Sequence, residues 1–264
     1  MPGWPGGARG ALCLSFDNLG VDEDSSAATA LPGLLKQLGE HDLTATFFAE
    51  GVNAELDPRA LREIGAAGHE VAYHAWRHET WGELTAAEQA ENLARGIKAF
   101  AELGLEIAGL RPPGGQLGSG GVGVLRKASL TYVSPAGADA GVEDGVALLP
   151  FQWRHVDASC MLPPLGAVRK QMTDSPDPIE PAAFLAYLET EIECLSHAGG
   201  FATIVLHLPL LDWLGESNLA SLLDKVVSTD LWVARCDQVA THLLAHTEDF
   251  EERATLDPTT WSGG

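Results

Sequence analysis

Short apolar segments and longer amphipathic segments alternate along almost the whole chain. The runs 11–16 (ALCLSF) and 44–49 (TATFFA) are typical of buried strands, and a helical pattern that begins at Leu31 separates them. Repeated strand–helix units with nearly continuous apolar strands are typical of a parallel sheet covered by helices. With about seven strands and no change of composition to mark a domain boundary, the sequence predicts a single, irregular (β/α) barrel in preference to an open sheet.

Local signals predict where several helices begin and end. Asp57 followed by Pro58 is typical of a helix start, and Gly68 is placed to end that helix. The spacing of Thr85 and Glu88 is that of a capping box. We further predict strands at 70–73, 107–110, 131–134, 146–149, 201–207 and 232–235, and helices at 122–128, 181–197, 219–228 and 237–246.

The charge of the chain restricts its partners. Of the 264 residues, 37 are acidic and 16 are basic, which gives a formal net charge of −21. Such a surface repels phosphate backbones and anionic lipids, so neither nucleic acid nor a membrane is an expected partner. No run approaches the ~18 apolar residues of a membrane-spanning helix. We therefore expect a small-molecule or oligosaccharide substrate, and whether the chain forms a homo-oligomer stays open.

The ends of the chain and its cysteines indicate a compartment. Residues 1–10 (MPGWPGGARG) lack the apolar segment of a signal peptide. The four cysteines are far apart and form no C-x-x-C pair, as expected for free thiols in a reducing compartment. We expect a cytoplasmic protein with a flexible segment at 1–10, the barrel at 11–250 and a flexible tail at 251–264.

Polar residues that end the predicted strands are the first candidates for a site. In (β/α) barrels the chemistry is located at the carboxyl ends of the strands. An isolated Asp-Asn pair more often caps a turn, so position alone does not decide its role. The residues to be considered are Asp17, Asn18, His74, Arg111 and His207.

Two pairs of histidines have the spacing of metal ligands on a helical turn. His74 and His78 are four residues apart, close enough to share one metal ion, and they follow a strand. His242 and His246 have the same spacing near the end of the last helix. There the helix dipole favours imidazolium, and no metal is needed to explain them. The first pair is therefore the candidate metal site.

Other patterns argue against two common classes of enzyme. A G-x-G-x-x-G run at 118–123 does not follow a strand directly, as a dinucleotide-binding turn would. The chain has no G-x-S-x-G motif, which disfavours a serine hydrolase of that type. Asp22, Glu23 and Asp24 are interpreted as a solvated loop.

Five motifs in order resemble a known family. They are SFDN at 15–18, ATFFAEG at 45–51, GHEVAYHAWRH at 68–78, RPPGG at 111–115 and IVLH at 204–207. In this order they resemble the polysaccharide deacetylase family, the NodB-homology type of carbohydrate esterase, from about residue 11 to 209. The resemblance implies a distorted (β/α) barrel and metal-dependent hydrolysis of an N-acetyl amide, typically on an amino sugar.

The resemblance also implies roles for individual residues. Asp17 corresponds to the catalytic base that takes a proton from water, Arg111 to the arginine that holds it, and His207 to the acid that protonates the leaving amine. His74 and His78 correspond to the metal ligands. Further residues implied in the pocket are Leu206 for the acyl methyl, Trp153, Pro112, Gly114, and Asp157 to orient His207, with Asp212 as its substitute; His69 is interpreted as structural.

Two positions depart from the family pattern. Asn18 stands where the family has an aspartate as the third metal ligand, and Ala75 stands where it has Ser or Thr. A neutral amide binds a cation less strongly than a carboxylate does. We therefore expect a weakly held divalent metal, with zinc as the first choice. The same change fits a relative without metal.

Three functions follow from this pattern. The first is metal-assisted N-deacetylation of an amino sugar or small N-acetylated compound. The second is hydrolysis of a cyclic amide, such as allantoin or an imide, with weak or no metal dependence. The third is a non-catalytic carbohydrate-binding protein, against which the presence of Asp17, Arg111 and His207 argues.

Overall fold

The structure is a computed structural model that describes residues 3–21, 27–250, 254–259 and 261. The predicted solvated loop of Asp22, Glu23 and Asp24 lies outside these ranges. The strands are β1 Gly10–Asp17, β2 Thr46–Ala49, β3 Glu70–Tyr73, β4 Gly109–Leu110, β5 Tyr132–Val133, β6 Gly137–Ala138, β7 Gly141–Glu143, β8 Val146–Leu148, β9 Gly200–His207, β10 Trp232–Val233 and β11 Thr255–Leu256.

Helices follow most of the strands and cover the sheet. They are α1 Ala27–Glu40, α2 Asn53–Leu56, α3 Pro58–Ala66, α4 Ala86–Ala101, α5 Gly121–Lys127, α6 Asp157–Met161, α7 Gly166–Gln171, α8 Pro181–Ala198, α9 Leu211–Leu214, α10 Glu216–Val227, α11 Cys236–Ala245 and α12 Thr247–Phe250. Within the described ranges, no helix combines the length and apolarity that crossing a bilayer requires.

Parallel strands form one curled sheet in the order β9, β1, β2, β3, β4, β5, β8. β10 pairs with the first half of β1, on the edge that β2 uses further along, and β7 runs antiparallel to β8. A parallel bridge between Val156 and Val205 joins the segment after β8 to β9. The sheet therefore closes on itself only in part, and the predicted distorted (β/α) barrel is confirmed.

The strongest local signals are confirmed, whereas three short strands were not predicted. Thr85 Oγ1 accepts a bond from the Glu88 amide, and the Glu88 carboxylate accepts one from the Thr85 amide at 2.8 Å. Asp57 caps α3 by accepting a bond from the Ala60 amide at 3.0 Å. The strands β6, β7 and β11 have two or three residues each, too few to show an alternating pattern.

Both ends of the chain contact the barrel. Trp4 is buried and packs against the rings of Trp232 and Phe250. β11, in the segment that we expected to be a flexible tail, pairs antiparallel with β6. Residues 1–2, 251–253, 260 and 262–264 lie outside the described ranges.

We predict that Gly109→Ala destabilises the barrel. A Cβ atom at this position would lie 2.2 Å from the ring of Tyr132, which is fully buried and donates a hydrogen bond to Glu70. Overpacking of this kind costs ~1–3 kcal/mol. The control is Gly39→Ala in α1, where a Cβ meets nothing within 4 Å. Urea unfolding measures both variants, and equal stabilities would contradict the prediction.

Candidate active site

The polar residues that end neighbouring strands meet at one edge of the sheet. Asp17 and His207 are register partners at the ends of β1 and β9. His74 follows β3, and Arg111 follows β4, whose last residue pairs with the last residue of β3. All four line one pocket of about 210 Å³. The expectation that the strand ends come together is therefore confirmed.

Arg111 is buried beneath this pocket and connects several strands. Its Nη1 donates to Asp17 Oδ1 at 2.5 Å and to Ser15 Oγ at 2.9 Å. Its Nη2 donates to Ser134 Oγ at 3.1 Å, and the guanidinium lies 4.0 Å from the centre of the Phe48 ring. This arrangement fixes one oxygen of Asp17 and leaves the other, Oδ2, 3.9 Å from Nε2 of His74.

The two candidate ligand histidines lie together with their rings 4.9 Å apart. His74 donates from Nδ1 to the carbonyl oxygen of Arg111 at 2.8 Å, so its Nε2 carries the lone pair. Burial and the neighbouring His78 lower the pKa of His74, and burial and His207 lower the pKa of His78 to about 4. Both rings are therefore neutral at pH 7, as metal ligation requires.

Asn18 supplies an unpaired oxygen in the same pocket. The backbone of Asn18 has φ = 64°, in the left-handed region, and its backbone N–H donates to the carbonyl of Phe48 at 3.2 Å. Its side-chain Oδ1 is buried and has no hydrogen-bond partner within the described part of the chain. An unpaired buried oxygen is costly unless a ligand satisfies it.

His74, His78 and Asn18 offer donor atoms that fit a divalent metal, and the neutral amide of Asn18 makes the binding weaker than an aspartate would. Two neutral imidazoles and the Asn18 oxygen are suitable ligands for zinc. Among the described residues, no group of three His, Cys, Asp or Glu could hold a metal ion. Any metal here would therefore depend on a neutral amide in place of a third charged or imidazole ligand.

The carboxylate of Asp157 accepts two hydrogen bonds from His207. Asp157 Oδ1 accepts a bond from His207 Nδ1 at 2.6 Å, and its Oδ2 accepts one from the His207 backbone amide at 2.8 Å. Burial lowers the pKa of His207, but Asp157 and Asp17 raise it by more, so the net pKa lies above the ordinary value. The imidazolium form is thereby favoured, as a proton donor at neutral pH requires.

The pocket wall requires two corrections to the predicted residues. Leu206 does not line the pocket but lies in the apolar core, because side chains alternate along a strand and His207 faces the pocket. Val205, two residues before His207, lines it instead. Asp157 is fully buried behind His207, so it positions the histidine and does not contact a substrate.

The other predicted pocket residues have these positions. Pro112, Gly114 and Trp153 line the pocket. Asp212, the alternative candidate for orienting His207, is exposed in α9. Asp157 makes the bond to His207 instead. His69 is buried and accepts a bond from the Ala45 amide at 3.2 Å, as its structural interpretation predicts.

The second histidine pair has a different environment. His242 lies in α11 and packs its ring against Trp4 and Trp232, at 5.5 and 5.6 Å, and it does not line the pocket. His246 is exposed, with its ring 4.4 Å from that of His242. The pair therefore serves as a comparison for His74 and His78 with the same spacing.

Several pocket residues were not predicted. Phe151, Val156 and Leu165 form part of the apolar wall, and Trp261 closes one side with its ring 5.6 Å from that of His78. Ser15 is not a lining residue but bonds to Arg111; it lies in the SFDN motif, and its register two residues before Asp17 could have indicated its place on the same face. Nothing in the sequence pattern around Trp261 indicates that it returns to the strand ends.

Comparison with known proteins agrees with this geometry. Residues 7–133, just under half of the chain, match the family model described as polysaccharide deacetylase. The peptidoglycan-N-acetylglucosamine deacetylase PgdA of Listeria monocytogenes is 29% identical over 105 residues, which are 39% of this chain and 21% of PgdA. These matches show that the first half of this chain is similar in sequence to polysaccharide deacetylases. The chain aligns with only about a fifth of the length of this relative.

Solved structures show that the whole fold is shared with polysaccharide deacetylases and their relatives. A protein from Mycobacterium smegmatis assigned as a polysaccharide deacetylase has a TM-score of 0.77 at 23% identity, covering 100% of this chain and 97% of that one. The Puue allantoinase has a TM-score of 0.73 at 18% identity, covering 92% and 93%. At these identities the likeness shows the fold.

We predict that Asp157→Asn lowers the pKa of His207. The variant keeps the shape of the side chain but removes the negative charge that raises this pKa against the effect of burial. An NMR titration of His207 measures the change. The control is Asp212→Asn, at an exposed position without a bond to His207. If the pKa of His207 is the same in Asp157→Asn and in the unchanged protein, the carboxylate does not hold the imidazolium.

Proposed function

We propose that this protein hydrolyses the N-acetyl amide of an amino sugar or a small N-acetylated compound with the help of a divalent metal, zinc first. The observation that carries the proposal is the register of β1 and β9, which places a carboxylate and an imidazole side by side in one pocket. A carboxylate next to an imidazole can act as the base and the acid in the proton transfers of amide hydrolysis. The family supported by residues 7–133 agrees with it.

The metal would be held by Nε2 of His74, by His78 and by Oδ1 of Asn18. When bound, a divalent cation polarises an acyl oxygen and makes water more acidic. We propose that Asn18 occupies the position at which the family has an aspartate. Its side-chain oxygen belongs to the same pocket and has no partner among the described residues, which supports this role, and its neutrality reduces the affinity for the cation.

Asp17 acts as the base. Burial raises its pKa, while Arg111 and His207 oppose this effect without reversing it. A carboxylate with a raised pKa is a stronger base and accepts a proton from water more readily. Arg111 fixes Oδ1 of Asp17, so Oδ2 is the atom that receives the proton.

His207 acts as the acid. The leaving nitrogen of the amide must gain a proton before the bond to the acyl carbon breaks. The Asp157 carboxylate keeps Nδ1 of His207 engaged, so Nε2 is the atom that delivers the proton. Since the pKa of His207 is raised, a protonated ring is available at neutral pH.

The walls of the pocket favour a short acyl group. Val205, Phe151 and Trp153 present apolar surface close to the polar groups. We propose an acetyl group on a compact, soluble amino sugar as the substrate. The cytoplasmic location stays a prediction.

We predict that His74→Ala abolishes retention of the metal. The protein is purified without chelator, loaded with zinc and desalted, and its metal content is then measured by mass spectrometry. His242→Ala is the matched control, because it breaks a pair with the same spacing and should leave the zinc content unchanged. Asn18→Asp should tighten binding, since it adds an anionic ligand. Equal zinc in His74→Ala and the unchanged protein would contradict the site.

We predict that His207→Ala lowers kcat for acetate release by ~10²–10⁴, the usual contribution of a general acid. The metal content of the variant should match that of the unchanged protein, because His207 is not among the proposed ligands. Activity close to that of the unchanged protein would exclude His207 as the acid.

A panel of substrates distinguishes the remaining functions. It contains short N-acetylglucosamine oligomers, small N-acetyl amines, allantoin and a simple imide, each with and without added zinc or cobalt. We expect acetate release that depends on metal. Ring opening of a cyclic amide in the presence of a chelator would replace the proposal with the second function. Absence of any turnover would favour a binding protein.

A further inference from the structure

Residues 254–259 and 261, called the segment from here on, pack against the mouth of the barrel. β11 pairs with β6, and the amide of Asp257 donates to the carbonyl of Ala136 at 3.0 Å. Gln116 Nε2 donates to the carbonyls of Asp257 at 2.8 Å and of Thr259 at 3.0 Å. The indole of Trp153, itself a pocket residue, donates to the same Thr259 carbonyl at 3.3 Å.

Two glycines of the barrel leave room for this segment. A Cβ at Gly137 would lie 2.4 Å from the carbonyl oxygen of Thr255, and a Cβ at Gly141 would lie 2.6 Å from the amide nitrogen of Ala254. Contacts this short are not compatible with any larger residue. The surface of β6 and β7 is therefore shaped to receive the segment.

The segment brings Trp261 to the boundary between two cavities. The first is the active-site pocket, and the second, of about 350 Å³, lies beside it. Pro113, Gly114 and Trp261 line both of them. The second cavity is otherwise lined by polar side chains and glycines, namely Thr80, Gly82, Glu83, Gln116 and Gly118.

We propose that Trp261 and the second cavity bind the part of the substrate beyond the reacting amide, and that this part is a second sugar ring. This inference rests on the proposed function for the chemistry at the first pocket. About 210 Å³ is small by comparison with pockets of ~300–1,000 Å³ that enclose whole ligands, so the first pocket holds the acetylated end of the substrate. The remainder of the substrate must extend out of the first pocket along one of its walls.

The chemistry of the boundary suits a saccharide. An indole offers a flat apolar face with little loss of conformational freedom on binding. Thr80 and Glu83 offer a hydroxyl and a carboxylate that can hydrogen-bond to sugar hydroxyls. A ring that packs on Trp261 and reaches these groups would extend from the reacting amide into the second cavity. Trp261 would thereby determine specificity without taking part in the proton transfers.

The test compares a one-ring and a two-ring substrate, N-acetylglucosamine and di-N-acetylchitobiose. We expect Trp261→Ala to lower the ratio of kcat/KM for the disaccharide over kcat/KM for the monosaccharide about tenfold, equivalent to ~1.4 kcal/mol. Trp261→Phe should restore most of the ratio. Gln116→Ala, which releases two bonds to the segment, should lower it in the same direction.

Trp213→Ala is the matched control. This tryptophan is 45% exposed in α9 and lines neither cavity, so its removal should leave the ratio unchanged. A ratio unaffected by Trp261→Ala would overturn the proposal. Equal losses on both substrates together with loss of zinc would also overturn it, because Trp261 would then act only as support for His78.

Binding without turnover separates this inference from the proposed function. Calorimetry measures the affinity of the unchanged protein and of Trp261→Ala for the deacetylated disaccharide of glucosamine. Weaker binding to the variant supports the inference even if no acetate is released from any substrate. Turnover with no effect of Trp261→Ala overturns the inference alone. Absence of both binding and turnover overturns both proposals.

Discussion

The buried guanidinium of Arg111 is the interaction on which the candidate site depends. It bonds to two residues of β1, Ser15 and Asp17, and to Ser134 just after β5, and it lies on the ring of Phe48 in β2. Its own carbonyl fixes the tautomer of His74. One residue therefore holds Asp17 at the end of β1 and orients His74 after β3. Leaving such a charge without its partner would be strongly destabilising, which makes Asp17 and Arg111 a single unit.

Electrostatics divide the pocket into two kinds of group. His74 and His78 have lowered pKa values and stay neutral, whereas His207 has a raised pKa because Asp157 lies behind it. Three histidines in one pocket thus have different protonation preferences: burial and a neighbouring histidine keep the first two neutral, whereas the hydrogen-bonded Asp157 carboxylate favours the protonated form of the third. Because of this difference, the rings of His74 and His78 are suited to binding a cation, and the ring of His207 is suited to donating a proton.

Much of this site could be predicted because strands impose a simple geometry. Residues that end parallel strands must share an edge, so Asp17, His74 and Arg111 could be grouped from the sequence alone. The placement of Leu206 in the pocket, implied by the resemblance, was wrong: side chains alternate along a strand, so Val205 and not Leu206 shares the face of His207. Choosing Asp157 as the partner of His207 was correct, although no local pattern distinguished its contact from one with Asp212.

The C-terminal contribution could not be predicted, since it depends on pairing between segments far apart in the sequence. β6 and β11 are two residues each, and neither has a pattern of its own. The place of Trp261 follows from that pairing and from the bonds that Gln116 makes over a separation of more than a hundred residues. Glycines such as Gly137 indicate a close approach, but they do not reveal which segment approaches.

The most direct measurement is the rate of acetate release from an N-acetylglucosamine oligomer by the unchanged protein and by Asp17→Asn. The variant keeps the size of the side chain and removes its ability to accept a proton. Because it also removes the charge that pairs with Arg111, circular dichroism first establishes that the variant is folded at the assay temperature. The account predicts that the unchanged protein releases acetate and that the variant has a kcat lower by ~10²–10⁴, with the same zinc content. Equal rates for the two proteins would contradict it, because the base would then not be Asp17.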